Sequence, residues 1–378
     1  MRIGLGATVL ARGLAHQQLD GIGYYTQELA HRLTSFGCEW RPMVFGATTL
    51  AHIDQRPIGH LPRYSTAALL SALTGGGFAG HRSWRGQIDL FHATDHHIPR
   101  LPGIPVLATL MDAIPLSHPE WANARFRRLK NTLWRQASRW ADHVVTISEF
   151  AKTQIIEHFG IAAHQISVVP LGVDQRFYDR LDPGTVQSVR LAHGLQRPYF
   201  LCIGTLQPRK NVHRVIDAYQ SLPPHLLKTH DLVIVGRNGW GSEALVQRLH
   251  SLSPQSGVRW LGGIPDVDKR ALLQNASALV FPSLSEGFGL PVLEAFASQT
   301  PVIASNTTSL PEIAADAAVL IDPCDTSAIA QAMQHLADNP DHAAQLCAQG
   351  LARSRLYSWQ SCAQQTSAIY QRMLGHTP

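Results

Sequence analysis

The sequence predicts an α/β protein built from two doubly wound domains, and three observations carry that expectation. Short apolar runs of strand length alternate with helical patterns along all 378 residues, and such crossovers imply parallel sheets with helices on both faces. The length is generous for one hydrophobic core and comfortable for two. A turn at Asp182-Pro183-Gly184 interrupts the series, and a fresh strand–loop–helix pattern begins at Tyr199.

Taken in order, strands are expected at 2–6, 40–45, 89–93, 106–110, 144–147 and 167–170, then at 199–204, 232–236, 258–261, 278–281, 301–304 and 319–321. A helix is expected at 24–33, after a long loop that follows the first strand, and another at 212–219. The stretch 61–86, which contains Gly75-Gly76-Gly77, reads as a mobile loop or a helix pair on the acceptor side. The chain closes on an amphipathic helix pattern over 359–374. The resulting domains are 1–180 and 181–358, with 359–378 as a terminal helix. Two such domains facing each other would hold a ligand at the carboxyl ends of their strands, in the cleft between them.

Composition narrows the class. Apolar residues make up 45% and charged residues 16%, as in ordinary globular proteins. No run of about 18 apolar residues is present, so no membrane-spanning helix is expected. The start, Met1-Arg2-Ile3-Gly4-Leu5-Gly6, reads as a first strand rather than a signal peptide. Cys38, Cys202, Cys324, Cys347 and Cys362 are scattered, with no CxxC spacing, which points to reduced thiols in a cytoplasm and to no zinc site. The net charge of +5 is modest, and no nucleic-acid partner is expected. It is unevenly spread, however. Arg125, Arg127, Arg128, Lys130, Arg135 and Arg139 lie in one acid-free stretch with Trp134 and Trp140. That stretch reads as a helix whose Phe126, Leu129 and Leu133 pack inward. Its sharper reading is peripheral docking on an anionic membrane surface.

The most informative segment is Ser285-Glu286-Gly287-Phe288-Gly289-Leu290-Pro291-Val292-Leu293-Glu294. It follows a strand, bends through glycines and enters a helix at Pro291, a residue suited to a first helical turn. Helix N-termini bind anions. Two carboxylates there would repel a phosphate, so they are expected to hold hydroxyls. Phosphate and hydroxyls together point to a nucleotide-sugar. A second turn, Gly204-Thr205-Leu206-Gln207-Pro208-Arg209-Lys210-Asn211, also lies between a strand and a helix, and adjacent Arg and Lys suit a diphosphate. A third, Gly21-Ile22-Gly23, could let backbone N–H groups approach a phosphate or sugar. It is no dinucleotide fingerprint, because Gly4-Leu5-Gly6 lacks a third glycine in register. That argues against a dinucleotide oxidoreductase.

Three polar clusters read as structural. Asp266-Val267-Asp268 matches a metal-binding pattern of sugar transferases but stands where a helix begins, as first-turn acids do. His92, Asp95, His96 and His97 read as a polar loop rather than a metal site. Glu312 with Ser309 fits a capping box.

In this order, the residues resemble the retaining glycosyltransferases of family 4, over nearly the whole chain. The match rests on Glu286 and Glu294 and on the Arg209-Lys210 turn. It is extended by Thr146-Ile147-Ser148-Glu149-Phe150, Val169-Pro170-Leu171-Gly172-Val173-Asp174 and Val235-Gly236-Arg237. The resemblance implies the GT-B fold of two facing Rossmann-like domains, with the terminal helix crossing back to the first. It implies no metal or other cofactor. Glu294 would hold the ribose and Glu286 the transferred sugar, while Arg209 and Lys210 grip the diphosphate. Thr205, Arg237, Gly287, Phe288, Gly289 and Leu290 would complete the donor site, with Gly21 and Gly23 approaching from the other domain. Asp112, His118 and Ser148 would stand on the acceptor side. Two departures are visible: Thr205 follows Gly204 where many members carry Arg, and Met111 precedes Asp112 where many carry His. The implied reaction is hexose transfer with retention, mannose from GDP-mannose being the leaning, to a saccharide or polyprenyl-linked saccharide. The rival readings are a sugar-nucleotide epimerase, a phosphorylase and a non-catalytic sugar-nucleotide scaffold.

Overall fold

The computed structural model describes residues 1–121 and 127–375. They divide into two compact units. The first takes in Met1–Pro119, the described part of Ala124–Gly172 and that of Trp359–Pro378; the second takes in the described part of Glu120–Asn123 and Val173–Ser358. Fifteen strands are described. In chain order they are β1 Arg2–Gly6, β2 Glu39–Phe45, β3 His52–Ile53, β4 Arg56–Pro57, β5 Gly59–Leu61, β6 Leu90–Ala93, β7 Val106–Thr109, β8 His143–Thr146 and β9 Ile166–Val168 in unit 1. Unit 2 has β10 Tyr199–Ile203, β11 Asp231–Val235, β12 Val258–Trp260, β13 Ala278–Phe281, β14 Val302–Ser305 and β15 Val319–Ile321.

Unit 1 holds a seven-stranded sheet in the order β5-β2-β1-β6-β7-β8-β9, and unit 2 a six-stranded sheet in the order β12-β11-β10-β13-β14-β15. Every pairing within the two sheets is parallel. The central strands β6, β7, β10, β11, β13 and β14 are buried at every residue, as strands covered by helices on both faces must be. Numbered within its own unit, each sheet runs 3-2-1-4-5-6, the doubly wound order, with unit 1 adding a seventh strand. In each, the order reverses beside the first strand. That reversal falls between β10 and β13 in unit 2 and between β1 and β6 in unit 1. Loops leaving those strands part company there and leave a crevice at the strand carboxyl ends.

All twelve expected strands are present, and three were not expected. β5 is a short edge strand set between prolines, and β3 with β4 forms an antiparallel pair beside it. The long loop expected after β1 contains a helix, Thr8–Ala15, so the following helix begins at Gly21 rather than Tyr24. The Gly75 region follows a helix at Tyr64–Thr74 and precedes a 3-10 turn at His81–Trp84.

The helix Trp359–Met373 belongs to unit 1. Tyr24 meets Trp359 edge-on at 5.6 Å. A buried polar chain joins Tyr370 Oη to His92 Nδ1 (2.7 Å), His92 Nε2 to Thr109 (2.7 Å) and Thr109 to Tyr25 Oη (3.0 Å). Burial pushes the His92 imidazole down to about 3, so it stays neutral and its two nitrogens serve as a structural bridge.

Candidate active site

The switch point of unit 2 brings three charged side chains together. Arg209 and Lys210 lie on a 3-10 turn, Pro208–Lys210, after β10, and Glu286 lies in the loop after β13. Lys210 Nζ is 2.5 Å from Glu286 Oε1, and Arg209 Nη1 is 2.9 Å from Oε2. Each carboxylate oxygen therefore faces one cation. Lys210 Nζ also sits 4.5 Å over the Phe281 ring, a favourable cation–π position. Arg209 Nη1 donates to the Ser285 carbonyl (3.1 Å) and Nε to Gln207 Oε1 (3.1 Å).

Burial alone would raise the Glu286 carboxyl; Lys210 and then Arg209 outweigh it and hold it down at about 2. Burial pushes the Lys210 ammonium down, against the pull of Glu286. With all three ionised the cluster carries one net positive charge. It stands beside the N-termini of the helices Val212–Gln220 and Leu290–Ala297, whose dipoles add to the attraction for an anion.

The loops are fixed by residues that make no charge contribution. Asn211 adopts the left-handed conformation, φ 60°, which asparagine tolerates better than most residues. Its buried amide donates to the carbonyls of Pro282 (3.0 Å) and Pro323 (2.7 Å), tying the loops after β10, β13 and β15. Ser309 was expected to cap the helix Leu310–Ala314. Its hydroxyl instead bridges to the carbonyls of Glu286 and Phe288, both at 2.9 Å, and makes no capping bond. It therefore staples the acidic loop. Phe288 is buried against Tyr357, edge-on at 5.8 Å. Gly289, φ 115°, caps the helix Leu290–Ala297; a Cβ there would stand 2.7 Å from Leu310. Gly236, after β11, passes so close to the Gly204 carbonyl that a Cβ would lie 1.9 Å from that oxygen.

Glu294 lies on the helix Leu290–Ala297, as expected, and is paired with Lys269 at 2.9 Å. Lys269 was not anticipated as a partner; only its place near a helix start was visible in the sequence. The helix Asp266–Gln274 begins at Asp266 itself. Asp266 pairs with Arg176, and Asp268 lies 2.7 Å from His193 Nε2, so both acids of that pattern already have side-chain partners. Thr205 and Arg237 are exposed, Leu290 partly so, and Gly287 is buried within the loop.

In unit 1 the expected residues take separate places. Gly21 and Gly23 form the first turn of the helix Gly21–Leu33, and the Gly23 N–H is taken by the Asp20 carboxylate at 2.8 Å. Asp112 Oδ1 accepts from the Ile114 amide at 3.0 Å. His118 ends the short helix Ile114–Ser117. Ser148 is buried and caps the helix Glu149–Phe159. Arg125 and Phe126 lie outside the described residues, as do the side chains of Arg127 and Arg128. Lys130, Arg135 and Arg139 are exposed on the helix Arg127–Ser138 and just beyond it. Leu129, expected to pack inward, is 51% exposed. No helix among the described residues is long and apolar enough to cross a membrane.

Comparisons with known proteins agree with this geometry. The family described as "Glycosyltransferase Family 4" matches residues 19–177, and "Glycosyl transferases group 1" matches residues 186–352. O-antigen chain mannosyltransferase B of Escherichia coli is 32% identical over 284 residues, 74% of this chain and 74% of the relative. Serotype-specific mannosyltransferase WbdA of Escherichia coli is 29% identical over 70% of this chain, which spans only 33% of that longer protein. Among solved structures, Anabaena HepE in complex with UDP superposes with a TM-score of 0.76 at 18% identity, covering 98% of this chain and 99% of that one. Two Rossmann-like parallel sheets, a charged switch point and these matches together place the chain in glycosyltransferase family 4, with the GT-B fold.

Proposed function

We propose that this glycosyltransferase moves a mannosyl residue from GDP-mannose to a hydroxyl of a saccharide acceptor, with retention at the anomeric carbon and without a metal. The observation that carries the reading is the Arg209–Lys210–Glu286 cluster at the unit 2 switch point. The sugar is drawn from the names of the relatives at 32% and 29% identity. The metal-free reading is supported by Asp266 and Asp268, which are held by Arg176 and His193 rather than left as a ligand pair.

In this reading the donor diphosphate takes the place of the Glu286 carboxylate on Arg209 and Lys210. Glu286, released from them, accepts hydroxyls of the mannosyl group. Charge grows on the departing diphosphate as the glycosidic bond breaks, and the two cations stabilise that charge more than the ground state. The leaving phosphate oxygen accepts the proton of the attacking acceptor hydroxyl. Glu294 binds the ribose, with Lys269 beside it at 2.9 Å. Thr205, Arg237, Gly287, Phe288, Gly289 and Leu290 line the donor, and Gly21 and Gly23 belong to the donor-binding set. Asp112, His118 and Ser148 remain acceptor-side assignments.

The test is a thermal-shift screen of nucleoside diphosphates and their sugars, followed by NMR of the product's anomeric proton. A donor bound at about 100 times its Kd raises stability by about 2.7 kcal/mol. A larger shift with GDP than with UDP, and an α-linked product from the α-linked donor, would support the reading. An inverted product, or a nucleotide-sugar converted with no acceptor present, would overturn it.

Peripheral docking on an anionic bilayer is part of the same proposal. The helix Tyr64–Thr74 packs beside Arg127–Ser138 and exposes Leu69, Leu70 and Leu73 by 40, 61 and 77%. Exposed leucines beside exposed cations suit an anionic lipid surface. Co-sedimentation with phosphatidylglycerol liposomes, lost in Leu70→Glu/Leu73→Glu, is the expected outcome.

A further inference from the structure

Unit 1 repeats the strand order of unit 2, so its own switch point, between β1 and β6, is also a place where a ligand can enter. The loop after β6 carries Asp95, His96 and His97 there. Asp95 is buried. Its Oδ1 accepts from the His97 backbone N–H at 2.7 Å and its Oδ2 lies 2.8 Å from His97 Nδ1. The His97 ring stands edge-on to Tyr64 at 4.7 Å and is tilted against Phe45 at 6.0 Å. Its side chain keeps about a third of its surface exposed.

These contacts set the chemistry of the ring. With Nδ1 turned to a carboxylate, Nδ1 carries the proton and Nε2 is the end that can meet a ligand. His97 is largely buried, which disfavours its charge, but Asp95 outweighs burial and raises it above the ordinary histidine value. Burial likewise opposes Asp95, and His97 holds it ionised. Arg12, on the helix after β1, works against the His97 charge. His96 stacks on Trp134 at 5.0 Å. Its Nδ1 is buried with no hydrogen-bond partner among the described residues, and burial pushes the His96 imidazole down, against the opposing pull of the neighbouring carboxylates. Tyr64 Oη is spent on the His96 and Ile98 carbonyls. A buried carboxylate holding Nδ1 of an imidazole that is about a third exposed, at a strand carboxyl end, is an arrangement for gripping a hydroxyl rather than a structural requirement of the sheet.

We infer that the Asp95–His97 pair is a binding site of unit 1 for a hydroxyl of the acceptor saccharide. His97 Nε2 contacts the ligand, and Asp95 acts through His97 as a positioning residue. The inference rests on the glycosyltransferase reading for the identity of its ligand and on the local geometry for its place.

Two substitutions separate a binding role from a structural one. In His97→Asn the amide falls near the Nδ1 position and keeps the Asp95 contact, but nothing reaches the Nε2 position. In His97→Gln the amide reaches toward the Nε2 position and abandons Asp95. A binding role predicts that His97→Asn melts close to wild type. Its saccharide KM rises by roughly tenfold or more, the loss expected for one hydrogen bond involving a charged group, with the GDP-mannose KM within about twofold. His97→Gln should melt lower yet bind saccharide better than His97→Asn. Saturation-transfer NMR with methyl α-mannoside gives the same ranking without turnover and uses the full chain. A His97→Asn protein with an unchanged saccharide signal, or one whose donor and saccharide KM rise together, would overturn the site. Saccharide binding lost in His97→Asn, in a chain that releases no GDP from GDP-mannose, would keep the site and sink the mannosyl-transfer reading.

Discussion

The two units share a strand order and differ in what stands at the switch point. In unit 2 the loops after β10 and β13 bring two cations onto one carboxylate, leaving one positive charge beside two helix N-termini. In unit 1 the loop after β6 brings a carboxylate onto an imidazole, with Arg12 across from it. Backbone topology places a crevice in both; side-chain charge decides what each can hold. The first arrangement suits a diphosphate, the second a neutral polyol.

The largest effect should come from removing a cation of unit 2. Lys210→Met deletes one of two groups facing the leaving diphosphate and should lower the transfer rate by about 10²–10³, the usual loss for one preorganised electrostatic contact. It also leaves Glu286 with Arg209 alone, so stability falls by a few kcal/mol, about 3 where a buried pair is broken. Steady-state GDP release and urea denaturation measure the two. Transfer within about tenfold of wild type would remove the electrostatic distinction between the units.

Glu286→Gln should act in two directions. Transfer falls, because the sugar loses a charged partner. GDP binds more tightly, from a few-fold to roughly tenfold, because no carboxylate then competes for Arg209 and Lys210. Calorimetric titration with GDP reads the second effect, and weaker GDP binding would contradict the exchange of partners. The pH dependence follows the same logic. The folded Glu286 carboxyl sits at about 2, below its ordinary value of 4.5. Its ionised form therefore adds stability above the ordinary value, and that contribution is lost as pH falls from about 4.5 toward about 2. Glu286→Gln should flatten this acid limb of the melting curve.

The contrast between units also explains what was legible in the sequence. The twelve expected strands are apolar runs buried on both faces, and a run of Leu-Val-Ile-Val in β11 has few other uses. β5 escaped notice because Gly59, exposed His60 and flanking prolines read as a turn; it is a strand only because β2 offers it an edge. The helix Thr8–Ala15 was hidden by Gly13 and by the glycines around it. At the site, Glu286 and the Arg209-Lys210 turn were each visible as loop motifs, but they were expected to act on separate parts of a ligand. Their ion pair joins residues 76 positions apart and depends on β13 lying next to β10, which only the crossover topology decides. Lys269 was missed for the same reason: nothing local marks it as the partner of Glu294. In unit 1 the Asp95–His97 pair was in view as a polar loop, and its role turns on a ring orientation that sequence does not carry.

Asn211 tests whether the precision of the unit 2 site comes from its loops rather than its charges. Asn211→Ala forfeits two buried hydrogen bonds to the Pro282 and Pro323 carbonyls and forces alanine into the left-handed region. A loss of about 2–4 kcal/mol is expected. Asn211→Gly keeps the backbone freedom and should lose less, by about 1 kcal/mol. Equal losses in both variants would show that the conformation at this residue is not part of what fixes the loops.

The smallest effect belongs to the glycines of unit 1, and there the sign matters more than the size. Gly21 has nothing within 4 Å of where a Cβ would stand, and its φ is not positive. At the first position of a helix, Gly21→Ala should leave the protein as stable as before or raise it by up to about 1 kcal/mol, by restricting the unfolded chain. Gly23 is more crowded: a Cβ would lie 3.2 Å from Leu19 Cδ2 and 3.4 Å from Asp20 Oδ1. Gly23→Ala should therefore gain less or lose a little. Gly21 is not required by the packing around it, so the absence of a side chain there calls for another cause. If that cause is the close approach of a ligand, Gly21→Ala will raise the donor KM in a protein that melts no lower than wild type. A donor KM unchanged alongside a raised melting temperature would leave Gly21 as an ordinary helix start and confine phosphate recognition to unit 2.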